Sequence, residues 1–388
     1  MRKLNIPIFR LKFDFKSKIK FLRGAWDILS SDRPLGESKY VKEFEDKFAK
    51  MSDAKYALAC SNGTTAIELA LKALGVYNKK VLIPSNTFFA TSVAVTNAGG
   101  IIELLDMEPE SFSICLKDLE SKITSETGAV IIVHIGGIIS HDISKIVDLC
   151  KKHKVPLLED AAHAHFSLKG THRAGVIGDV GTFSFFPTKV MTTGEGGMIT
   201  TNNKELYEKM KSLKNFGRHL EDAGVIIAPN GNNFKINEFT GLLGSIECDR
   251  VYSRIQIRTD LLERYRKNLE KTRYKVIRQK GSRGVCANYK AIVITPMDGL
   301  WLKKYCKERG ISLTGEVYRI PVHEQPLYKE QFSSVNLPNT DYYSKHHVCP
   351  PLYPELSIKE VDYICDVLKQ ALIDYEEQSS KTNSDKKD

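Results

Sequence analysis

The chain has no apolar run of about 18 residues, the length a membrane-spanning helix needs, and its mean hydropathy is −0.27. It also lacks any C-x-x-C pair. Its eight cysteines (Cys60, Cys115, Cys150, Cys248, Cys286, Cys306, Cys349 and Cys365) are irregularly spaced. In a chain this long, that argues against a disulfide framework and a structural zinc site and leaves reduced, mostly buried thiols. No P-loop, G-x-G-x-x-G motif, RNP1 motif, zinc finger, internal repeat or long linker occurs. The opening stretch MRKLNIPIFRLKFDFKSKIKF is basic without an unbroken apolar segment, so a secretory signal is rejected and a cytoplasmic protein is expected.

The 388 residues are 42% hydrophobic and 27% charged, a globular balance with enough chain for two or three cores. The formal net charge is +10, and cations crowd the start: Arg2, Lys3, Arg10, Lys12, Lys16, Lys18, Lys20 and Arg23. Such a balance suits nucleic acid, an anionic membrane or an anionic small molecule. With no nucleic-acid motif beside it, an anionic metabolite is the more economical partner. No nucleic acid and no membrane partner are expected.

The helical stripe Val41, Phe44, Phe48 precedes a short apolar run, YALAC, and then SNGTTAIELALKALG. The pattern is strand, tight turn, helix, with Gly75 as the C-cap. Further continuous apolar runs follow at Val81–Ile83, Ile101–Asp106, Ala129–Ile135 and Val155–Asp160, as for strands covered on both faces. GTFSFF and GMITT add two more, and Ile143–His153 reads as an intervening helix. This alternation over about residues 55–215 predicts an α/β layer with a mostly parallel sheet. A long helical stretch from Asn237 to Lys271 leads into mixed short elements, among them a strand in NYKAIVIT and a terminal helix. The expected units are an N-terminal segment with the large domain (1–245), a smaller α+β domain (246–376) and a solvated polar tail (377–388).

Ligands of open α/β sheets sit at the C-terminal strand ends, where Gly63, Thr64, Phe88, Asp106, His134 and Asp160 fall. Ser61-Asn62-Gly63-Thr64-Thr65 offers free backbone N–H groups at a helix start, which suits a phosphate; a plain helix cap is the alternative. Glu159 and Asp160 end a buried strand. Their side chains point to opposite faces, so they cannot flank one bond as a glycosidase pair does. One of them pairing with a ligand cation, or Asp160 capping a helix, remains. Lys189 stands among apolar and turn residues with no other charge until Glu195; a desolvated lysine can form an imine. Gly194, Gly196 and Gly197 let the backbone pack beneath a bound group. His163 and His165 form H-x-H without a further ligand at metal spacing, so no metal is expected. His346-His347 reads as surface or cavity mouth.

A phosphate-type turn, a strand-end aspartate and then a lysine, in this order, resemble the fold-type I pyridoxal-phosphate enzymes. The blocks RPLGESKYVKEFEDKFAK, SNGTTAIELALKALG, VLIPSNTFFATSVAV, LLEDAAHAH, GDVGTFSFFPTKVMTTGEGGMITT, GNNFKINEFTGLLGSIE and PVHEQPLY resemble the DegT/StrS-type sugar aminotransferases, from about Ile6 to the last helix. The resemblance implies pyridoxal 5′-phosphate as cofactor, with pyridoxamine 5′-phosphate as intermediate. It implies Lys189 as the lysine that joins the cofactor and Asp160 as the partner of its pyridine nitrogen. Gly63, Thr64 and Ser184 would hold the phosphate, and Phe88 would stack on the ring. Asn233 would reach the cofactor phosphate of a neighbouring subunit, which implies a homodimer with shared active sites. Tyr318 and His323 fall near the substrate mouth.

This sequence departs from the family pattern in places. His163 stands beside the cofactor's 3-oxygen where glutamine is frequent, Phe166 replaces a frequent glycine, Lys235 a usual arginine, and VHIGG lacks a common tyrosine. The implied activity moves an amino group from glutamate or glutamine to a keto-sugar, nucleotide-linked, for amino-sugar biosynthesis. A non-nucleotide keto-sugar acid, a keto-cyclitol, a sugar dehydratase and a non-catalytic binding or regulatory protein are the alternatives. Members that dehydrate carry histidine where this chain has Lys189.

Overall fold

The computed structural model describes residues 4–219, 221–222, 224–281, 284–313 and 316–384. Seven strands form the central sheet: β1 (Tyr56–Cys60), β2 (Lys80–Pro84), β3 (Ile101–Leu105), β4 (Thr127–Val133), β5 (Leu157–Asp160), β6 (Val180–Ser184) and β7 (Gly197–Thr201). Their spatial order is β1-β7-β6-β5-β4-β2-β3. Neighbours pair in parallel except β7, which runs antiparallel to both β1 and β6. The predicted mostly parallel α/β layer is therefore present. Every residue of β4 and β5 is buried, which is why these strands read as unbroken apolar runs.

Local signals place the helices that serve the site. Asn62 caps Gly63–Leu74, its side chain accepting from the Thr65 N–H at 2.9 Å while the Thr65 hydroxyl accepts from the Asn62 N–H at 3.1 Å. Gly75 ends that helix in the left-handed region at φ 76°, a conformation a Cβ would oppose. The long stretch read as one helix divides into Glu238–Cys248 and Val251–Leu269. The break needs neither proline nor glycine: the Asp249 and Arg250 N–H groups turn back to Ile246 and Glu247 carbonyls, tightening the chain.

Two cores lie against the two faces of the sheet. In one, Phe48 meets Phe166, Phe183 and Phe185 at 4.9–5.7 Å between ring centres. A third core gathers Leu261, Leu262, Tyr265, Ile292-flanking Val293 and the terminal helix Ile358–Ser384. Val251 and Ile255 belong to a sheet core, and Leu261, Leu262, Tyr265 and Leu269 to the third, so the helix Val251–Leu269 contributes to both. Ile6 also packs in the third core and bridges to Ile311, so the start of the chain lies on the C-terminal unit. The stretch expected as a solvated tail from 377 is helical to Ser384; residues 385–388 lie outside the described residues. The expected strand in NYKAIVIT shrinks to Val293–Ile294. His347, read as surface, is buried: its Nε2 accepts from the Val317 N–H at 3.1 Å.

Phe166, one of the residues at which the chain departs from the pattern it resembles, adopts φ 58°. A Cβ in that region costs roughly 1–2 kcal/mol, and the fully buried ring beside Phe48 offsets it. Substitution by alanine keeps the strained backbone and loses the ring, so Phe166→Ala destabilises by about 3–5 kcal/mol in denaturant unfolding. Phe166→Gly, although smaller still, destabilises by about 1 kcal/mol less than alanine; equal or greater loss for glycine would contradict the strain.

Candidate active site

One cavity of about 650 Å³ opens at the C-terminal ends of the parallel strands. Gly63, Thr64, Phe88, Asp160, His163, Ser184, Lys189 and Tyr318 all line it. Asn233 is exposed and lies outside that lining. His323, the other predicted substrate residue, is also outside: its Nδ1 meets the Ser85 hydroxyl at 2.7 Å and its Nε2 meets Asp341 at 2.8 Å. That pair of contacts fixes the chain behind Tyr318 and leaves the imidazole unable to face the cavity.

The strand pleat separates the two carboxylates as the sequence predicts. Glu159 turns away from the cavity, accepting from the N–H groups of Gly175, Ile177 and Gly178 and meeting His134 Nε2 at 2.9 Å. His134 and Glu159 are thus structural. Asp106 is too: it accepts from the Asn339 and Thr340 N–H groups and so caps the helix Pro338–Lys345. Asp160 faces the cavity. Its Oδ2 accepts from the Thr91 hydroxyl at 3.1 Å and its Oδ1 from the Ala162 N–H at 3.1 Å. Burial raises its pKa, against those two donors and the nearby Lys189 charge. It is a carboxylate in want of a cation.

Lys189 follows β6 and is open to the cavity. Burial lowers its pKa, with Tyr289 and Asp160 opposing. Its Nζ lies 4.8 Å from the Tyr289 ring centre. Burial would push the Tyr289 phenol up, but the charges of Lys189 and Lys290 outweigh it and bring the pKa to about 8. The Thr188 hydroxyl lies 2.9 Å from the Tyr289 oxygen.

At the opposite wall, capping falls to Asn62 and Thr65, and the Thr64 hydroxyl has no protein partner among the described residues. A Cβ on Gly63 would come 2.7 Å from Ser184 Cβ, so only glycine lets the turn close onto that serine. The helix N-terminus, the Thr64 hydroxyl and the Ser184 hydroxyl form an anion cradle.

His163 is held neutral: burial, then the Lys189 and Lys290 charges, push its pKa well below the usual histidine value. Its Nδ1 accepts from the Gly136 N–H at 3.3 Å, which puts the proton on Nε2, 3.2 Å from the Tyr318 oxygen. Burial likewise keeps Tyr318 a phenol, its pKa well above 10. His165 points elsewhere, between Phe183 and Phe185 at 5.5 and 5.6 Å, with burial lowering its pKa to about 3. The two histidines of H-x-H therefore share no site. Phe88 lies against Phe89 and Tyr318 at the mouth. Lys235, in place of the usual arginine, donates to Asn215 Oδ1 at 2.9 Å.

Sequence reading missed Thr91, Tyr289, Lys290 and Glu316. Thr91 sits on a helical turn after Phe88 and offers no signal beyond its hydroxyl. Tyr289 and Lys290 come from the C-terminal part, about 100 residues beyond Lys189, and only the fold brings them to the wall.

Fold and site together are those of a pyridoxal-phosphate-dependent transaminase. A family model, the DegT/DnrJ/EryC1/StrS aminotransferase family, matches residues 20–369, and the chain belongs to that family. It is 30% identical to the GDP-perosamine synthase of Escherichia coli O157:H7 over 94% of this chain and 98% of that protein. It is 29% identical to the UDP-4-amino-4,6-dideoxy-N-acetyl-beta-L-altrosamine transaminase of Campylobacter jejuni (strain 81-176), over 87% of this chain and 91% of that one. Among solved structures, the apo-form of Spr1654 from Streptococcus pneumoniae superposes with a TM-score of 0.89 at 23% identity, covering 97% of this chain and 100% of that one. The same protein has been solved in PLP- and PMP-forms.

The electrostatics make a direct test possible. In the cofactor-free protein one tyrosine should titrate to phenolate with a midpoint at about pH 8, protonated below and charged above, followed by ultraviolet difference absorbance. Tyr289→Phe should remove that phase and leave the ordinary tyrosine titration near 10.

Proposed function

We propose that this protein transfers an amino group from glutamate or glutamine to a keto-sugar carried on a nucleoside diphosphate, for amino-sugar biosynthesis. The observation that carries the reading is the convergence of Lys189, Asp160 and the Gly63–Thr64 turn on one cavity. The site fits pyridoxal 5′-phosphate on three independent counts: a buried carboxylate lacking a cation, an amine of lowered proton affinity, and an anion cradle with an unpartnered hydroxyl. The two relatives reported above, whose names carry GDP- and UDP-linked sugars, support a nucleotide-linked acceptor.

In this reading Gly63, Thr64 and Ser184 hold the phosphate and Phe88 covers the ring. Asp160 keeps a proton on the ring nitrogen through charge pairing in a low-dielectric setting, and Thr91 orients that carboxylate. His163 donates from Nε2 on the side shared with Tyr318. When bound, the cofactor would supply the electron sink for the transfer of the amino group. Lys189 would hold the cofactor through its amine, and its free Nζ would take up and give back a proton as general base and acid. Burial suits it to this, because lowering the amine's pKa enlarges the share that is unprotonated at any given pH. Exposed Asn233 reaches a partner subunit's cofactor phosphate in a homodimer with shared sites. We place the enzyme in the cytoplasm, where nucleotide-linked sugars are made; among the described residues no helix is long and apolar enough to cross a membrane.

Lys189→Ala should fold normally yet lose transamination by at least about 10²–10⁴-fold, the share general acid–base catalysis ordinarily contributes. Borohydride treatment of the wild type should fix a cofactor-sized mass on the peptide holding Lys189, read by mass spectrometry. Labelling of any other lysine would overturn the assignment. Asp160→Asn should still bind cofactor through the cradle but convert it to the amino form more slowly by a similar factor, with glutamate as sole substrate.

A further inference from the structure

Four charged groups lining the cavity have no role above: Glu68, Glu195, Lys290 and Glu316. Glu68 pairs with Lys72 at 2.6 Å, and Glu316 pairs with Lys303 at 2.5 Å. Asp160 has its two donors. Glu195 lies at the rim, exposed. Lys290 lines the same cavity, and its ammonium has no hydrogen bond or ion pair among the described residues. Its one aromatic neighbour is the Tyr289 ring, whose centre lies 4.8 Å from Lys290 Nζ. Lys189 Nζ stands at the same distance from the same ring, so the two nitrogens lie within twice that distance of each other. A cation so close to the reacting amine already acts electrostatically on its surroundings: it helps lower the pKa of Tyr289, His163 and Lys189.

An unpaired cation on the wall of a half-enclosed cavity is a receptor for an anion. On the proposed reading the cofactor phosphate is accounted for by the cradle of Gly63, Thr64 and Ser184. Two anions remain among the substrates. The acceptor's diphosphate is separated from the reacting carbonyl by the sugar ring. The donor's α-carboxylate is one bond from the reacting carbon and must lie beside Lys189 whenever transfer occurs. We infer that Lys290 is a specificity-determining residue that binds a carboxylate of the amino-acid donor and so orients its α-carbon toward Lys189. The same ammonium favours a dicarboxylate or amino acid over a neutral amine. The neutral His163 and phenolic Tyr318 add no competing charge, and Glu316 is paired with Lys303 through Oε1, its buried Oε2 having no hydrogen-bond partner among the described residues.

This inference rests on the proposed transaminase reading, and the test separates the two. The donor half-reaction is followed alone, as conversion of loaded enzyme by glutamate or glutamine, in the wild type, Lys290→Met and Lys290→Arg. Lys290→Met keeps the apolar stem and removes the charge. The donor KM should rise about 10–100-fold, the loss of one hydrogen bond to a charged group, with arginine restoring most of it. The acceptor KM should stay within about twofold. Calorimetry should show the same weakening for 2-oxoglutarate binding, a readout independent of turnover. A neutral primary amine should react equally with wild type and Lys290→Met. An unchanged donor KM, or a rise confined to the acceptor, would overturn the assignment to the donor carboxylate while leaving the transaminase reading intact. A wild type inert toward both donors would overturn both.

Discussion

The pleat of one four-residue strand decides the chemistry of this molecule. In β5, Glu159 and Asp160 are adjacent and both buried, and a strand must send them to opposite faces. One face resolves its carboxylate internally, with three backbone N–H groups and His134. The other face gives Asp160 two donors and a cavity. A buried anion with incomplete neutralisation is unfavourable by itself. A cation entering the space would offset that cost, so on the proposed reading the burden of the buried anion and the affinity for a cofactor have one origin.

The remaining groups follow from that placement. β6 runs parallel to β5 with Asp160 beside Thr182, so the turn after β6 delivers Lys189 to the same end of the sheet. β1 lies two strands beyond and brings Gly63 against Ser184, the last residue of β6. Three groups widely separated in sequence therefore meet because parallel strands share one C-terminal edge. Low dielectric sharpens each of them: Lys189 loses proton affinity, His163 is neutral, and Tyr318 is a phenol.

Much of this was legible in the sequence because it rests on local rules. YALAC, GMITT and Ile143–His153 form the elements their periodicity predicts. Gly75 ends its helix as a left-handed cap. Eight of the ten candidate residues line the cavity. What escaped rests on tertiary contact. His323 carries a motif that places it at the substrate, yet Ser85 and Asp341 claim both its nitrogens. Tyr289 and Lys290 sit in a loop with no periodicity, and no spacing rule links them to Lys189. The helix break at Asp249–Arg250 carries no glycine or proline to announce it. The terminal stretch, polar in composition, continues the final helix because exposed Glu376, Glu377 and Gln378 are themselves good helix formers.

The helix Val251–Leu269 has its first turns in a core against the sheet and its last turns in the core of the C-terminal part. Buried Arg258 lies midway, donating to the Leu352 carbonyl at 2.6 Å and lying 3.4 Å from the carbonyl of Tyr289. A shared rod of this kind transmits displacement as a lever does. Through it the C-terminal part bears on Tyr289, which the sheet side also holds, packed in a sheet core with its N–H on the Gly136 carbonyl, so the spacing of the cavity's two lysines is set from both cores at once.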